Sequence, residues 1–354
     1  MVAALGSPPG PAAEWRWAMG DNGRPTATIS RVAEAAGVSR ATVSRVMNGR
    51  STVAPELAER VLAAARALDY APSPVARSLA LGRTATISLI VPDLANPTFQ
   101  EVLRGLSQAA GEHGHRLLIA ESAEHVEDEE VLAVEARRRC DGIVLASPRL
   151  PAEDLGRLAQ QLSPLVLINR TLPGGGVPSL SVDHAAGIGD LVAHLLSLGH
   201  RKIVYLAGPP ASISNQDRLD VLLRLSREGR AFELVELACG SMFEDGHAMA
   251  GAVVGTGATA VVAYNDMVAF GTLSGLHELG VAVPQQISIT GFDDIPFARF
   301  TTPPLTTTAV PANAIGRDAW TRLWALLEGS PATPPATYRP RLQVRGSSGR
   351  AALS

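Results

Sequence analysis

Arg40, Thr42 and Arg45, with Ser39 and Asn48 around them, place two guanidinium forks among short hydrogen-bonding groups, with the small apolar Ala41 beside Arg40. Such a set on one helix can grip guanine edges in bidentate fashion and neutralise phosphates. A second set is scattered along the chain. Asp93, Asn169, Asn265 and Asp266 each follow an apolar run. Carboxylates and amides at the ends of strands bind hydroxyl groups well, because every oxygen accepts and every amide also donates. Other chemistry is poorly served. His184 and His194 have no histidine partner at i+4, no Cys or carboxylate completes a ligand set, and no metal site is expected. There is no Gly-x-Ser-x-Gly elbow, no phosphate loop ending in Gly-Lys, and Lys202 is the only lysine. Cys140 and Cys239 sit among apolar residues and read as small buried hydrophobes. We therefore expect no catalytic residues, no metal and no cofactor; an enzyme on this chain would need a nucleophile, base and orienter that are not visible.

The first set needs a short scaffold to hold it. In TATISRVAEAAGVSRATVSRVMNG, Ile29, Val32, Ala33 and Ala36 recur at helical spacing, with Thr28 or Ser30 as N-cap. Gly37 suits a left-handed stop, Val38 plugs the corner, and Ser39 caps a second helix to about Met47. Two short helices joined by a tight glycine turn predict a helix-turn-helix, whose second helix enters a major groove. A third helix follows Pro55, with Leu57, Val61, Leu62, Ala65 and Leu68 as its buried stripe. Pro72 and Pro74 stop it, and Val75 to Ala80 is too short to be helical alone. Charge agrees. Residues 24–83 hold nine arginines against four acids, a net +5. The whole chain is −3 and residues 1–23 are −1, which leaves −7 for 84–354. A basic head on an acidic body points to a polyanion partner for the head.

The second set needs a larger frame. From Thr86, runs such as TISLIVPD, CDGIVLAS, RKIVYLAG and QISITGFDD alternate with helix-length amphipathic stretches. That alternation predicts an α/β body with doubly wound parallel sheets, and ligands of such folds bind beyond the strands' carboxyl ends. At 354 residues and 46% hydrophobic, the chain has enough apolar material for sizeable cores. No run approaches the ~18 unbroken apolar residues of a membrane span. The first basic residue, Arg16, follows Pro8, Pro9 and Pro11, which is unlike an export signal, so we expect a cytoplasmic protein. Residues 1–25 and 346–354 read as disordered tails, and Met19 is an alternative start.

The head segment TISRVAEAAGVSRATVSRVMNG and the linker YAPSPVARSL resemble the lactose-repressor and galactose-repressor family of bacterial transcription regulators. The likeness runs from about Thr28 to Val344. It implies a DNA-binding head over 26–70, a hinge linker over 71–84 that becomes a helix on DNA, and a two-lobe body of periplasmic-binding-protein type over 85–345. It implies chain crossings between the lobes near residues 182, 309 and 330. It carries DNA contacts onto Ser39, Arg40, Ala41, Thr42, Arg45, Asn48, Arg77 and Leu79, with Leu79 as a minor-groove wedge. It carries ligand roles onto Phe99, Ser212, Ser214, Arg218, Met242 and Asp266, beside the strand-end residues Asp93, Asn169 and Asn265. The expected clamp is Asp266 with Arg218. Ser212 stands where purine-binding members have arginine, which favours a carbohydrate over a nucleobase. Departures are Arg31 in place of an acid, Ala54 in place of a serine cap, and Leu57-Ala58 in place of a phosphate-touching Thr-Arg pair. The reading that follows is a homodimeric, nucleoid-associated regulator, a repressor on pseudo-palindromic operator DNA with a small sugar-like effector. Alternatives are a nucleoside- or purine-sensing regulator and a cytoplasmic solute-binding protein.

Overall fold

Local capping explains the head. A computed structural model of the chain describes residues 28–47, 53–70, 83–229 and 232–352. Asn48, Arg77, Leu79, the 1–25 tail and linker residues 71–82 lie outside that range. Helix α1 (Ile29–Ala36) starts where the Thr28 hydroxyl accepts from the Arg31 amide at 3.4 Å. It stops at Gly37, whose φ of 63° is the left-handed conformation. Helix α2 (Arg40–Met47) starts where the Ser39 hydroxyl accepts from the Thr42 amide at 3.1 Å. Helix α3 (Pro55–Ala67) has Pro55 in its first turn and no side-chain cap at Ala54. It docks on the turn through Arg60, whose Nη2 donates to the Ala36 carbonyl at 2.6 Å. Val32, Ala36, Val43, Val61 and Ala65 form the core. Leu62 corrects the expected stripe: it is 43% exposed. One position past Val61, it turns ~100° off the buried face.

The head and the body, residues 83–354, are separate compact units. In the body, lobe 1 is built on six parallel strands: β1 (Thr86–Val91), β2 (Arg116–Glu121), β3 (Gly142–Ala146), β4 (Leu165–Ile168), β5 (Ser179–Val182) and β11 (Ala336–Tyr338). They run in the order β11-β5-β4-β3-β1-β2. Lobe 2 uses β6 (Lys202–Ala207), β7 (Glu233–Ala238), β8 (Ala260–Ala263), β9 (Ser288–Asp293), β10 (Thr306–Ala309) and β12 (Arg341–Gln343). Their order is β12-β10-β9-β8-β6-β7, with only β12 antiparallel to its neighbour. The central strands β3, β4 and β8 are buried along their whole length, as sheets covered on both faces require.

The helices are α4 (Pro97–Glu112), α5 (Val126–Arg139), α6 (Ala152–Leu162), α7 (His184–Ser197), α8 (Ile213–Gly229), α9 (Phe243–Ala248), α10 (Ala250–Gly255), α11 (Asp266–Glu278) and α12 (Ala312–Leu327). Helix α12 follows lobe 2's β10 but packs in lobe 1, against α4. Its Gly316 lets the backbones meet, since a Cβ there would lie 2.1 Å from the Val102 carbonyl oxygen. The chain therefore passes between lobes after β5, after β10, and between β11 and β12. The third passage, at Arg339 and Pro340, corrects the expectation near Ser330. Ser330 only closes α12, its amide donating to the Ala325 carbonyl at 2.8 Å. β11 then stays in lobe 1, pairing with β5.

The expected tail after residue 345 is also corrected, as far as residue 352. Ser347 is fully buried where β9 and β10 begin. Its hydroxyl donates to the Ile289 carbonyl at 2.6 Å and accepts from the Thr306 amide at 2.7 Å. Small polar residues resemble disorder in composition, yet here they satisfy open sheet groups at close range. Among the described residues no helix is long and apolar enough to cross a membrane.

Candidate functional site

On α2 the side chains of Arg40, Ala41 and Arg45 are exposed, while Thr42 is half-buried. The Ser39 and Thr42 hydroxyls lie 2.9 Å apart, so Ser39 serves first as a cap. The result is two guanidinium groups displayed from one short helix, Arg40 at its electropositive start.

In the body the strand ends of the two lobes face one another. Lobe 1 brings Asp93, Asn96, Thr98 and Phe99 after β1, Glu124 after β2, Ser147 and Arg149 after β3, and Asn169 after β4. Lobe 2 brings Ser214 and Arg218 from α8, Ser241 after β7, Tyr264 and Asn265 after β8, and Asp293 from β9. They enclose a chamber of about 40 Å³. The backbone is strained there. Ala123, Glu124, Ser147, Asn169, Asp293 and Asp294 all have positive φ, between 49° and 121°. Such conformations cost free energy and gather where geometry serves a ligand.

Two arginine–carboxylate pairs dominate the chamber, one on each lobe. Arg149 holds Glu124 in bidentate fashion, with Nε at 2.7 Å and Nη2 at 2.8 Å. Its amide and that of Leu150 donate to Glu129, which fixes the turn that carries it. Opposite, Arg218 lies 3.7 Å over the Phe292 ring and 4.0 Å from Asp293. It also donates to the Tyr264 carbonyl and, from Nε, to His184 Nδ1 at 3.3 Å. Burial, aided by the Arg218 charge, holds His184 well below the usual histidine range, so it stays neutral and accepts. Burial pushes the Asp293 carboxyl up to about 6, against the opposing pull of Arg218.

The predicted ligand residues divide. Asp93, Phe99, Asn169, Ser214, Arg218 and Asn265 all line the chamber, although Asn265 also caps α11 through the Val268 amide at 2.8 Å. Ser212, Met242 and Asp266 do not. Ser212 is buried against the Tyr264 hydroxyl at 3.0 Å. Met242 precedes α9 as its N-cap. Asp266 is the main correction. It is fully buried under β9, accepting from the Ile295 amide at 2.8 Å and from the Thr307 hydroxyl. Burial raises its carboxyl well above the usual range. Arg218 pairs instead with Asp293. Gly291 makes the space, since a Cβ there would lie 2.2 Å from Asp266 Oδ1. Arg149 and Glu124 were missed. Treating every strand end alike would have found them, as Glu124 closely follows β2 and Arg149 closely follows β3.

Two family models match the chain: "Bacterial regulatory proteins, lacI family" over residues 28–73 and "Periplasmic binding protein-like domain" over 192–348. The transcriptional regulator AscG of Escherichia coli K12 is 33% identical over 329 residues, covering 90% of this chain and 98% of AscG. A lac repressor dimer bound to operator and the anti-inducer ONPF superposes with a TM-score of 0.83 at 26% identity, covering 92% of this chain and 100% of that one. A ribose-bound LacI-family regulator from Enterococcus faecium gives a TM-score of 0.65 at 25% identity, covering 75% and 99%.

Proposed function

Because the chain belongs to the lacI family of bacterial regulatory proteins, and so is a DNA-binding transcriptional regulator with a ligand-binding body rather than an enzyme, we propose that it is a cytoplasmic, homodimeric repressor whose operator affinity is set by a neutral sugar in the inter-lobe cleft. The observation that carries the ligand class is the chamber's charge arrangement. Its two arginines are already matched by Glu124 and Asp293, and Asp93 adds a further acid. An anionic ligand gains little from guanidinium groups that carboxylates already neutralise. A polyhydroxyl ligand gains from both, since each hydroxyl can donate to a carboxylate and accept from an arginine. The ribose bound to the Enterococcus faecium regulator supports the same class.

The chamber's size supports allosteric control. Pockets that hold small molecules enclose about 300–1,000 Å³. At about 40 Å³ the chamber must widen to admit a sugar, and the three chain passages are its natural hinges. A sugar that binds the wider arrangement better shifts the body toward it, by no more than its difference in affinity for the two arrangements. On the DNA side, Arg40 and Arg45 of α2, with Ser39, Ala41, Thr42 and Asn48, would meet base edges and phosphates of each half-site. Arg77 and Leu79 would engage the minor groove. A two-fold dimer reads a pseudo-palindrome.

A thermal-shift screen of the full chain against neutral sugars, sugar phosphates, polyols and nucleosides tests the ligand class. A ligand at 100 times its dissociation constant should stabilise by ~2.7 kcal/mol. A sugar hit supports the reading; a nucleoside or sugar phosphate as the sole hit contradicts it.

A further inference from the structure

The chain enters the body at Arg83, and lobe 1 gathers arginines around that entry although residues 84–354 together carry −7. Asp141 fixes the entry, its carboxylate accepting from the Thr84 amide at 2.7 Å and the Ala85 amide at 2.8 Å. On one side of β1, strand β2 begins at Arg116, whose register partner is Thr86. On the other side, the Asp141 amide donates to the Thr86 carbonyl at 2.7 Å, and α5 ends just before it in Arg137, Arg138 and Arg139. Neighbouring strands lie ~4.8 Å apart, so Arg116 and Asp141 flank the start of β1 at about 10 Å from each other.

Arg137 has a structural task, donating to the Ser163 carbonyl at 3.0 Å and the Cys140 carbonyl at 2.8 Å. Arg116, Arg138 and Arg139 have none: all three are exposed and form no ion pair or side-chain hydrogen bond among the described residues. The acids at this end are engaged elsewhere. Glu328 holds Arg83 at 2.9 Å, Asp141 holds the entry amides, and Glu112 lies 4.0 Å from Arg317. Glu135, one turn back on α5, pairs with neither Arg138 nor Arg139 among the described residues. The negative end of the helix dipole favours a basic last turn in α5, but it does not account for Arg116, which stands on a strand. Lobe 2 repeats the topology without the cluster. There β7 begins with Glu233 opposite Lys202, the two paired at 3.0 Å, and α10, AGAVVG, carries no charge. Charges are screened over ~8 Å at physiological ionic strength, so acids elsewhere on the body do not cancel three unpaired guanidinium groups here.

We propose that this end of lobe 1 is a second DNA-binding surface, on which Arg116, Arg138 and Arg139 meet backbone phosphates beyond those bound by the head. DNA is the partner because the head that binds it continues from Arg83 on this same face, through residues 71–82. The inference rests on the DNA-binding assignment of the family and is independent of the sugar reading of the chamber. Such contacts add affinity and salt dependence without sequence preference. Fluorescence anisotropy of the full chain tests this, on an operator selected by the protein and on a random-sequence duplex, between about 50 and 200 mM salt. Each phosphate contact contributes ~0.9 to the slope of log affinity against log salt. Arg116→Gln, Arg138→Gln and Arg139→Gln combined should therefore lower that slope by about 2 or more on both DNAs and weaken binding at least about fivefold. Arg138→Gln with Arg139→Gln alone, which leaves the sheet untouched, should give an intermediate loss. Arg201→Gln, Arg224→Gln and Arg227→Gln combined remove the same charge from exposed positions at the matching end of lobe 2, and should leave the slope as in wild type. A wild-type slope in both lobe 1 variants would overturn the proposal. An equal loss in the lobe 2 variant would assign the effect to net charge and overturn it too. So would a loss confined to the operator, because phosphate contacts carry no sequence information.

Discussion

Asp293 is the buried carboxyl that faces Arg218 in the cleft. Its native carboxyl titrates at about 6, above the ~3.9 of an unfolded aspartate. The native state therefore holds the proton more tightly. The stabilisation from this group is complete below about pH 4 and is lost as pH rises through its native value. In urea titrations, wild type should lose stability relative to Asp293→Asn between those limits; curves that stay parallel would contradict the assignment. In the proposed sugar complex only the carboxylate form would accept ligand hydroxyls, so sugar affinity should weaken as the pH is lowered through that same value. Asp266 makes the contrasting case. Removing its carboxyl strands the Ile295 amide and the Thr307 hydroxyl inside lobe 2. Asp266→Ala should cost about 1–3 kcal/mol of stability. An unchanged urea midpoint together with lost ligand binding would return Asp266 to the cleft.

Single caps matter at the scale of elements. Helix α3 begins at Ala54 without a side-chain cap. Ala54→Ser should stabilise it by ~1 kcal/mol, and Ser39→Ala should weaken the start of α2 by a similar amount. Amide hydrogen exchange in the first turns of α2 and α3 reads both, with slower exchange expected in the first variant and faster in the second. These helix starts were legible in the sequence because caps are local: Thr28, Gly37 and Ser39 act within a few residues of themselves. The body's strands were legible for a similar reason, their apolar runs being continuous. What escaped depended on partners distant along the chain. Leu62 is exposed because α1 and α2 cover only one side of α3. Ser347 is ordered because β9 and β10 offer it open groups. Asp266 turns inward because Thr307 and Gly291 receive it. The strand-end rule located the cleft, but which strand-end side chain enters it depends on φ and on neighbours from other strands, as Glu124 and Asp293 show.

A basic DNA-binding head is joined to an acidic ligand-binding body, for which we propose a sugar. Arg40→Ala combined with Arg45→Ala should remove the operator footprint, while the body's thermal response to sugar persists; an intact footprint would contradict the role given to α2. The cleft is proposed to control DNA binding. That control is measured by titrating the 354-residue chain onto a fluorescent operator, selected by the protein itself from random duplexes, with and without the sugar that stabilises it. In wild type, saturating sugar should change the dissociation constant at least tenfold, a coupling of ~1.4 kcal/mol. In Arg218→Ala the operator should still be bound and the same sugar should leave its affinity unchanged. An equal shift in both proteins, or none in wild type, would contradict the account.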